Sequence, residues 1–247
     1  MIPLDHDLYL LKIMEPRHGH LFSPSLDLAA IWKDLKSIFD TSFPIEEKDP
    51  WELVRRTNKK IKNDFYSSPS LTYGLFDPQF KLLSFAMYSY CTKQELLLGY
   101  IATRATQREK GYGSILFKAS LKDLFNKDVK GVFLEIERVD LATSKEDANL
   151  RQRRRAWWFR MGAHILNGIS YVQPSVDRGQ PDIPMELLYI GSDPTQRFFE
   201  AEKYIKWLTA CYKNAYMMSN TAIKKYEPYL KQVETARRIH QIQLVVP

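Results

Sequence analysis

Two glycines and two basic residues lie within one short stretch of the chain, residues 107 to 114, which reads QREKGYGS. An apolar run typical of a strand, residues 96 to 103, precedes it, and residues 114 to 125 follow with helical spacing. The first N–H groups of a helix lack carbonyl partners within that helix, and its dipole adds partial positive charge there. Glycine has no Cβ, so the backbone can approach an anion closely. The stretch therefore predicts a phosphate-binding turn, to which Arg108 and Lys110 add charge.

Two common phosphate loops do not fit this stretch. The pattern G-x-x-x-x-G-K-S/T of nucleotide-binding P-loops is missing, and so is G-x-G-x-x-G followed by an acidic residue about twenty positions later. What remains is a basic residue, two spacers, a glycine, one spacer and a second glycine. A solvated strand-to-helix turn with no ligand is the alternative that this short pattern leaves open.

The elements around the turn follow a definite order: strand, two helices, three strands, helix, strand, helix, two strands. Hydrophobic periodicity, turn residues and capping residues delimit them. The predicted strands are Tyr9–Met14, Thr72–Phe76, Leu82–Cys91, Leu96–Thr106, Val132–Ile136, His164–Val172 and Met185–Ile190, and the helices are Ser25–Phe39, Trp51 to about Phe65, Ser114–Phe125 and one that ends at Gly162.

This order, with the turn after the fourth strand, resembles the GNAT superfamily of acyl-CoA N-acyltransferases. The family's pyrophosphate loop has the pattern Arg/Gln-x-x-Gly-x-Gly/Ala, on which Arg108, Gly111 and Gly113 fall. The segment 157–163, WWFRMGA, is similar to the family's Phe-Tyr-x-x-x-Gly-Phe segment, and 40–47 looks like its link between the first two helices. The resemblance covers about residues 5 to 192. It implies an α+β fold with a mixed, mostly antiparallel central sheet flanked by helices.

The resemblance also implies acetyl-CoA, or another acyl-CoA, as co-substrate. The pyrophosphate would sit on the backbone of the turn, and a backbone N–H at the end of the preceding strand would polarise the thioester carbonyl. The implied CoA-binding residues are Ile101, Ala102, Thr103, Arg108, Glu109, Lys110, Gly111, Tyr112, Gly113, Ser114 and Trp158. The five histidines show no metal-ligand spacing, so no metal is expected.

Catalysis requires a base for the attacking ammonium and, in some enzymes, an acid for the departing thiolate. Glu135 and Glu137 alternate onto one face of a predicted strand, where two close carboxylates can raise one pKa. One of them is expected to be the base or to hold a water that acts as one; otherwise they bind a cationic substrate or pair with nearby arginines. Trp158 occupies the position of the family's usual tyrosine, and an indole cannot supply a proton. Tyr171 or Tyr112 could replace that tyrosine; otherwise the thiolate leaves unassisted.

Three classes of function follow. The first is an N-acetyltransferase that acts on a primary amine of a small molecule, amino acid or peptide. The second is a catalytically impaired acyl-CoA-binding module, which Trp158 would explain. The third is a nucleic-acid-associated protein, including an acyltransferase for nucleic acid-linked amines, which the net charge of +7 permits without requiring it.

Residues 193–247 lie beyond the resemblance and are expected to form a C-terminal helical extension after a 1–192 acyltransferase domain. Its predicted second helix runs from Thr221 to about His240, and residues 241 to 246 are extended. The extension could pack on the domain, form a homodimer or partner contact, or cover the acceptor site. Two distant cysteines favour a reducing compartment, and no signal peptide or membrane span is visible, so a cytoplasmic location is expected.

Overall fold

The computed structural model describes residues 2–4, 7–13, 27–45, 48–57, 70–175, 181–229 and 241–246. The chain forms two compact units. The first unit comprises residues 1–89 and 98–127, and the second comprises residues 90–97 and 128–247.

The strands of the first unit form an antiparallel meander. β1 (Ile2–Pro3) pairs with β2 (Tyr9–Ile13), which pairs with β3 (Ser70–Phe76), and β3 pairs with β4 (Leu82–Tyr90). Residues 98 to 103 of the next strand, β5 (Glu95–Thr103), complete this unit. These strands carry long apolar runs because almost every residue of β3 and β4 is buried.

Three helices belong to the first unit: α1 (Leu28–Ser42), α2 (Trp51–Thr57) and α3 (Tyr112–Phe125). Asp27 caps α1, since its carboxylate accepts hydrogen bonds from the N–H groups of residues 29 and 30 at 2.9 and 3.1 Å. The apolar side of α1 joins β2, β3 and β4 in one core cluster, which includes Leu35 at 0% exposure. α3 packs on β2 and β3.

In the second unit, β6 (Gly131–Glu137) pairs antiparallel along its whole length with residues 185 to 191 of β9 (Ile183–Gly191). β7 (His164–Leu166) and β8 (Tyr171–Gln173) also pair antiparallel with β9, one after the other. The helix α4 (Lys145–Arg160) packs on β6. The helix α4 thus covers part of the antiparallel sheet of the second unit.

The C-terminal residues add to the same unit. β10 (Phe198–Glu200) pairs with β11 (Gln241–Val245), and β11 pairs with β7. Between them lie α5 (Ala201–Asn214) and the short α6 (Asn220–Ile223). One face of α5 is buried in the core cluster that also contains residues of β6, β8 and β9. The domain boundary after residue 192 stays a prediction.

The expectation of an extended end at residues 241 to 246 is confirmed, since Gln241–Val245 forms a strand. The single strand expected over His164–Val172 is wrong, because a turn with Gly168 at φ +75° separates β7 from β8. Glycine adopts that left-handed conformation without strain, so the chain leaves the sheet at this turn and then rejoins β9 in the same direction.

Parts of several predicted elements lie outside the described residues. They are the start of the first helix before residue 27, the end of the second helix after residue 57, residues 230–240 of the predicted tail helix, and His6, His18, His20 and His240.

The α+β class and the largely antiparallel sheet flanked by helices are confirmed in the strand pairs given above. None of the helices in the described part of the chain has the length and apolarity that crossing a bilayer requires.

Candidate functional site

The glycine-bearing stretch forms a turn at the start of α3, in the first unit. A single 3-10 turn, Ala105–Gln107, follows β5, and the N–H of Gln107 donates to the Arg104 carbonyl at 2.8 Å. Gly111 then caps α3, and its carbonyl accepts from the N–H of Ile115 at 3.0 Å. The helix therefore begins two residues before the predicted Ser114, and its N-terminus lies at the two glycines, where an anion can bind.

The two glycines are needed for different reasons. Gly111 has φ +81°, and a Cβ built there would meet nothing within 4 Å, so its requirement is conformational. Gly113 has ordinary helical geometry, but its Cβ would lie 3.3 Å from Oγ1 of Thr103. Gly113 thus keeps open the narrow space between the helix start and the end of β5, a cradle that any side chain would fill.

The basic side chains lie exposed on the same turn. Arg108 donates from Nε to the Thr103 carbonyl at 3.5 Å and from Nη2 to Oγ of Ser42 at 3.4 Å. Lys110 donates from Nζ to the side chain of Gln107 at 3.0 Å. These contacts are to neutral groups, so both cations can exchange them for a phosphate. Glu109 is also exposed, with φ +66°, and lies between them.

The end of β5 is tied to its neighbours by side chains. Ser84 donates to the Ala102 carbonyl at 2.8 Å and accepts from Oγ1 of Thr103 at 3.2 Å. The guanidinium of Arg104 donates to Asp34 of α1 at 2.7 Å. Ala102 is buried, whereas Ile101 and Thr103 are partly exposed. These bonds fix the strand end from which the turn departs.

Asp49 and Tyr100 form a polar pair in the first unit that the sequence analysis did not identify. The Tyr100 hydroxyl donates to Oδ2 of Asp49 at 3.0 Å and accepts from the Asp49 N–H at 3.0 Å. The Tyr100 ring packs edge-on against Phe39 and Phe43, with centroids 4.9 and 5.1 Å away. Burial raises the pKa of Asp49, and the bond from Tyr100 opposes that rise. No local pattern in the sequence links Asp49 to Tyr100, which lies 51 positions later.

In the second unit, Glu135 receives two tyrosine hydroxyls on one oxygen. Tyr171 of β8 and Tyr216, which follows α5, both donate to Oε1, the latter at 2.5 Å. Burial raises the pKa of Glu135 to about 7, and the two hydrogen bonds act in the opposite direction. A carboxyl group that titrates near neutral pH can accept a proton there as a general base.

Glu137 lies two residues further along β6 but has a different partner. Its carboxylate forms an ion pair with Arg154 of α4, at the surface. The sequence analysis expected a nearby second carboxylate to raise the pKa of one glutamate. The pKa of Glu135 is instead raised by desolvation. For Glu137 the alternative expectation, pairing with a nearby arginine, is confirmed.

The surroundings of Glu135 are apolar and aromatic. Tyr171 is 2% exposed, and burial raises its pKa and that of Tyr216 well above the usual value for a phenol. At neutral pH both phenols therefore remain protonated and act as hydrogen-bond donors. Behind them, Tyr212 of α5 donates to the Val172 carbonyl at 3.0 Å, so α5 is tied to β8.

Trp158 is buried in α4 and packs edge-on against Trp157, with ring centroids 4.4 Å apart. α4 also carries five arginines, at positions 151, 153, 154, 155 and 160. Three of them form ion pairs: Arg151 with Asp147 at 2.9 Å, Arg155 with Glu186 at 2.7 Å, and Arg154 with Glu137. A basic helix face that pairs largely with its own acidic neighbours is weak evidence for a nucleic-acid surface.

The structure thus places the predicted residues 101–114 consecutively around one helix start and brings Glu135 and Tyr171 into contact. It adds Tyr216, which no local pattern marked. In the described part of the chain, no group of three or more His, Cys, Asp or Glu side chains is arranged to hold a metal ion.

Comparison with known proteins identifies the fold. A protein assigned as a GNAT acetyltransferase from Bacteroides thetaiotaomicron superposes with a TM-score of 0.59 over 77% of this chain and 94% of its own, at 22% identity. The fold is therefore that of the GNAT superfamily, as the sequence resemblance implied.

Two further solved structures are more remote. An aminoglycoside 6'-N-acetyltransferase complexed with coenzyme A has a TM-score of 0.49 and 15% identity over 68% of this chain and 93% of its own. A spermidine/spermine N-acetyltransferase from Vibrio cholerae, in complex with manganese ions, has a TM-score of 0.48 and 13% identity over 75% and 92%. No protein-family model and no curated protein sequence matches this chain.

Proposed function

We propose that this chain is an N-acetyltransferase that transfers an acetyl group from acetyl-CoA to a primary amine by direct attack. The observation that carries the proposal is Glu135, a carboxylate with a pKa of about 7 held by two tyrosine hydroxyls in a chain with the GNAT fold. The acceptor is a small molecule, an amino acid or a peptide. The reaction requires no metal.

The turn at the start of α3 would hold the pyrophosphate of acetyl-CoA. The open N-terminus at Gly111 and Gly113 supplies N–H groups, and Arg108 and Lys110 supply charge. A Cβ at Gly113 would lie 3.3 Å from Oγ1 of Thr103, a tighter contact than most, so glycine leaves the backbone N–H groups there more accessible to a phosphate. The remaining CoA-binding residues of the proposal are Ile101, Ala102, Glu109, Tyr112, Ser114 and Trp158.

Glu135 would take the proton that the acceptor ammonium must lose before its nitrogen can attack. The nitrogen lone pair then forms a bond to the thioester carbonyl carbon, and the electron pair of the carbon–sulfur bond leaves with sulfur. A backbone N–H at residues 101 to 103 would stabilise the negative charge that develops on the carbonyl oxygen. The attacking nitrogen becomes positively charged as the new bond forms and loses its second proton to solvent. The products are the acetylated amine, CoA thiolate, a protonated Glu135 and one proton released to solvent.

Tyr171 would act in this scheme by holding Glu135 and not by donating its own proton to sulfur. Its hydroxyl already points to the carboxylate, and burial raises its pKa well above that of a thiol. Trp158 has no proton to donate to sulfur, so the thiolate leaves unprotonated and takes a proton from solvent. Glu137, paired with Arg154, would have no direct role in proton transfer.

An acyl-CoA-binding module without catalysis is the second candidate, and Trp158 is the observation that favours it. The family's tyrosine at this position is replaced by a group that cannot donate a proton to sulfur. The two candidates differ in turnover, since both would bind acetyl-CoA. We also propose a cytoplasmic location, and a homodimer or partner contact through the C-terminal residues.

The test begins with titration calorimetry of the full chain with acetyl-CoA and with CoA. Binding is expected with both. Thiol release from acetyl-CoA is then measured across a panel of primary amines, with Glu135→Gln as the variant. Turnover that falls at least tenfold in Glu135→Gln, with acetyl-CoA binding intact, supports the transferase. Binding without release for any amine would favour the binding module, and absence of binding at millimolar ligand would refute both.

A further inference from the structure

We propose that Tyr216 is a positioning residue of the transferase: it fixes Oε1 of Glu135 and so keeps Oε2 for the proton of the acceptor amine. This inference rests on the function proposed above and adds to it a residue from outside the region of family resemblance. Tyr216 belongs to the C-terminal residues 193–247, so these residues become part of the base's environment.

The first observation behind this inference is the hydrogen-bond pattern of Glu135. Both hydroxyl donors, Tyr171 and Tyr216, bind the same oxygen, Oε1. Among the described residues, no hydrogen bond or ion pair reaches Oε2. A carboxylate anchored on one oxygen by two donors from different elements has little rotational freedom, so its second oxygen keeps a constant direction. Such anchoring is what a general base needs for proton transfer at fixed geometry.

The second observation is the backbone conformation around Tyr216. At the end of α5, the N–H groups of Ala215 and Tyr216 both donate to the Cys211 carbonyl, at 2.8 and 3.2 Å. Met217 then adopts φ +51°, and the N–H of Met218 donates to the Tyr212 carbonyl at 3.0 Å. A positive φ at a non-glycine residue is uncommon and persists where surrounding contacts over-determine it. This reversal of the chain aims the Tyr216 side chain at Glu135.

The groups that face Glu135 are neutral. They are Tyr171 on β8, Tyr216, and Tyr212 and Cys211 on α5; burial raises the pKa of each, and the charge of Glu135 raises it further. Cys91, also buried, lies against Cys211. Leu187 is opposite Glu135 on β9. With no cation among these neighbours, the tyrosine hydroxyls are the groups that stabilise the ionised carboxylate.

The experiment compares Tyr216→Phe with Tyr212→Phe in the full chain. Both changes remove one buried phenol hydroxyl from the end of α5, but Tyr212 donates to the Val172 carbonyl and not to Glu135. The acid limb of the pH profile of kcat/KM is measured for each, and Glu135 is titrated directly by NMR in protein labelled with 13C at glutamate side chains. Loss of a donor to the ionised form should raise the pKa of Glu135, so the limb should move up by about one pH unit in Tyr216→Phe.

Tyr212→Phe should lower stability without changing the apparent pKa of the acid limb. The KM for acetyl-CoA should be unchanged in both variants. An unchanged limb in Tyr216→Phe, or an equal shift in both variants, would overturn the inference. If no amine is acetylated, the proposed transferase fails, and the NMR titration decides separately whether Tyr216 fixes Glu135: a shift confined to Tyr216→Phe supports the contact, and its absence refutes it. Tyr216→Leu, which also removes the hydroxyl, gives a second replacement if the Phe variant does not fold.

Discussion

The hydroxyl of Tyr216 lies 2.5 Å from Oε1 of Glu135, although the two residues are 81 positions apart in the chain. This bond connects a residue after the last turn of α5 to the middle of β6. It places the C-terminal residues beside the most perturbed carboxylate of the second unit. The environment of Glu135 accordingly depends on a segment that lies outside the recognisable family pattern.

Stability should fall as pH rises from about 4.5 to about 7, through Glu135. Its pKa is raised by burial in the folded chain from 4.5 to about 7, so the folded state binds more protons than the unfolded state between those values. The full effect is on the order of 3 kcal/mol. Urea unfolding at a series of pH values measures it, and the loss should be smaller in Glu135→Gln.

His164 provides the opposite contribution in the same range. Burial and the charge of Arg197 lower its pKa, so it favours the folded state as pH rises. Because His164 is present in both proteins, its contribution cancels in the difference between wild type and Glu135→Gln. Equal pH dependence of unfolding in the two proteins would contradict the perturbed titration of Glu135.

The two glutamates of β6 should respond differently to the same substitution. Glu135→Gln removes the proposed base and should lower turnover at least tenfold, as general-base contributions are typically larger than that. Glu137→Gln breaks only a surface ion pair with Arg154, so stability should change by less than about 1 kcal/mol and turnover by less than about twofold. Steady-state kinetics and thermal unfolding of both variants provide the measurement. A larger loss of turnover in Glu137→Gln would reverse the assignment.

Substitutions at the two glycines of the α3 turn should have different effects. Gly111→Ala forces a side chain into φ +81°, which should destabilise the protein by about 1 kcal/mol. Gly113→Ala keeps helical geometry and should cost little stability, but its methyl enters the cradle beside Thr103 and should weaken acetyl-CoA binding. Thermal unfolding and calorimetry distinguish the outcomes. Unchanged affinity in Gly113→Ala would argue against a phosphate at this helix start.

Trp207 of α5 should be one of the most sensitive core positions. It is fully buried, and its ring stacks on Phe133 of β6 with centroids 3.6 Å apart. Trp207→Ala leaves a large cavity and should destabilise the protein by about 3 to 5 kcal/mol. Lys206→Ala, next to it on an exposed position, serves as the control and should change stability by less than about 0.5 kcal/mol. Similar unfolding midpoints for both variants would show that α5 contributes little to this core.

Several features of the chain were predictable because they depend on short stretches of sequence. The glycine turn, the order of elements and the strand at residues 241 to 246 follow from periodicity and turn residues that act over a few positions. The break at Gly168 was missed because an isolated glycine in an apolar run does not show whether the strand is interrupted there.

The sequence by itself determined the GNAT-type order, the helix start at Gly111 and Gly113, and the presence of two glutamates on one strand. Only the tertiary structure decided the partners and the burial of each glutamate. Burial and two tyrosine hydroxyls act on Glu135, while Glu137 pairs with Arg154 at the surface. The pKa of a carboxyl group depends on desolvation and on partners from distant segments, and neither quantity is encoded in spacing along the chain.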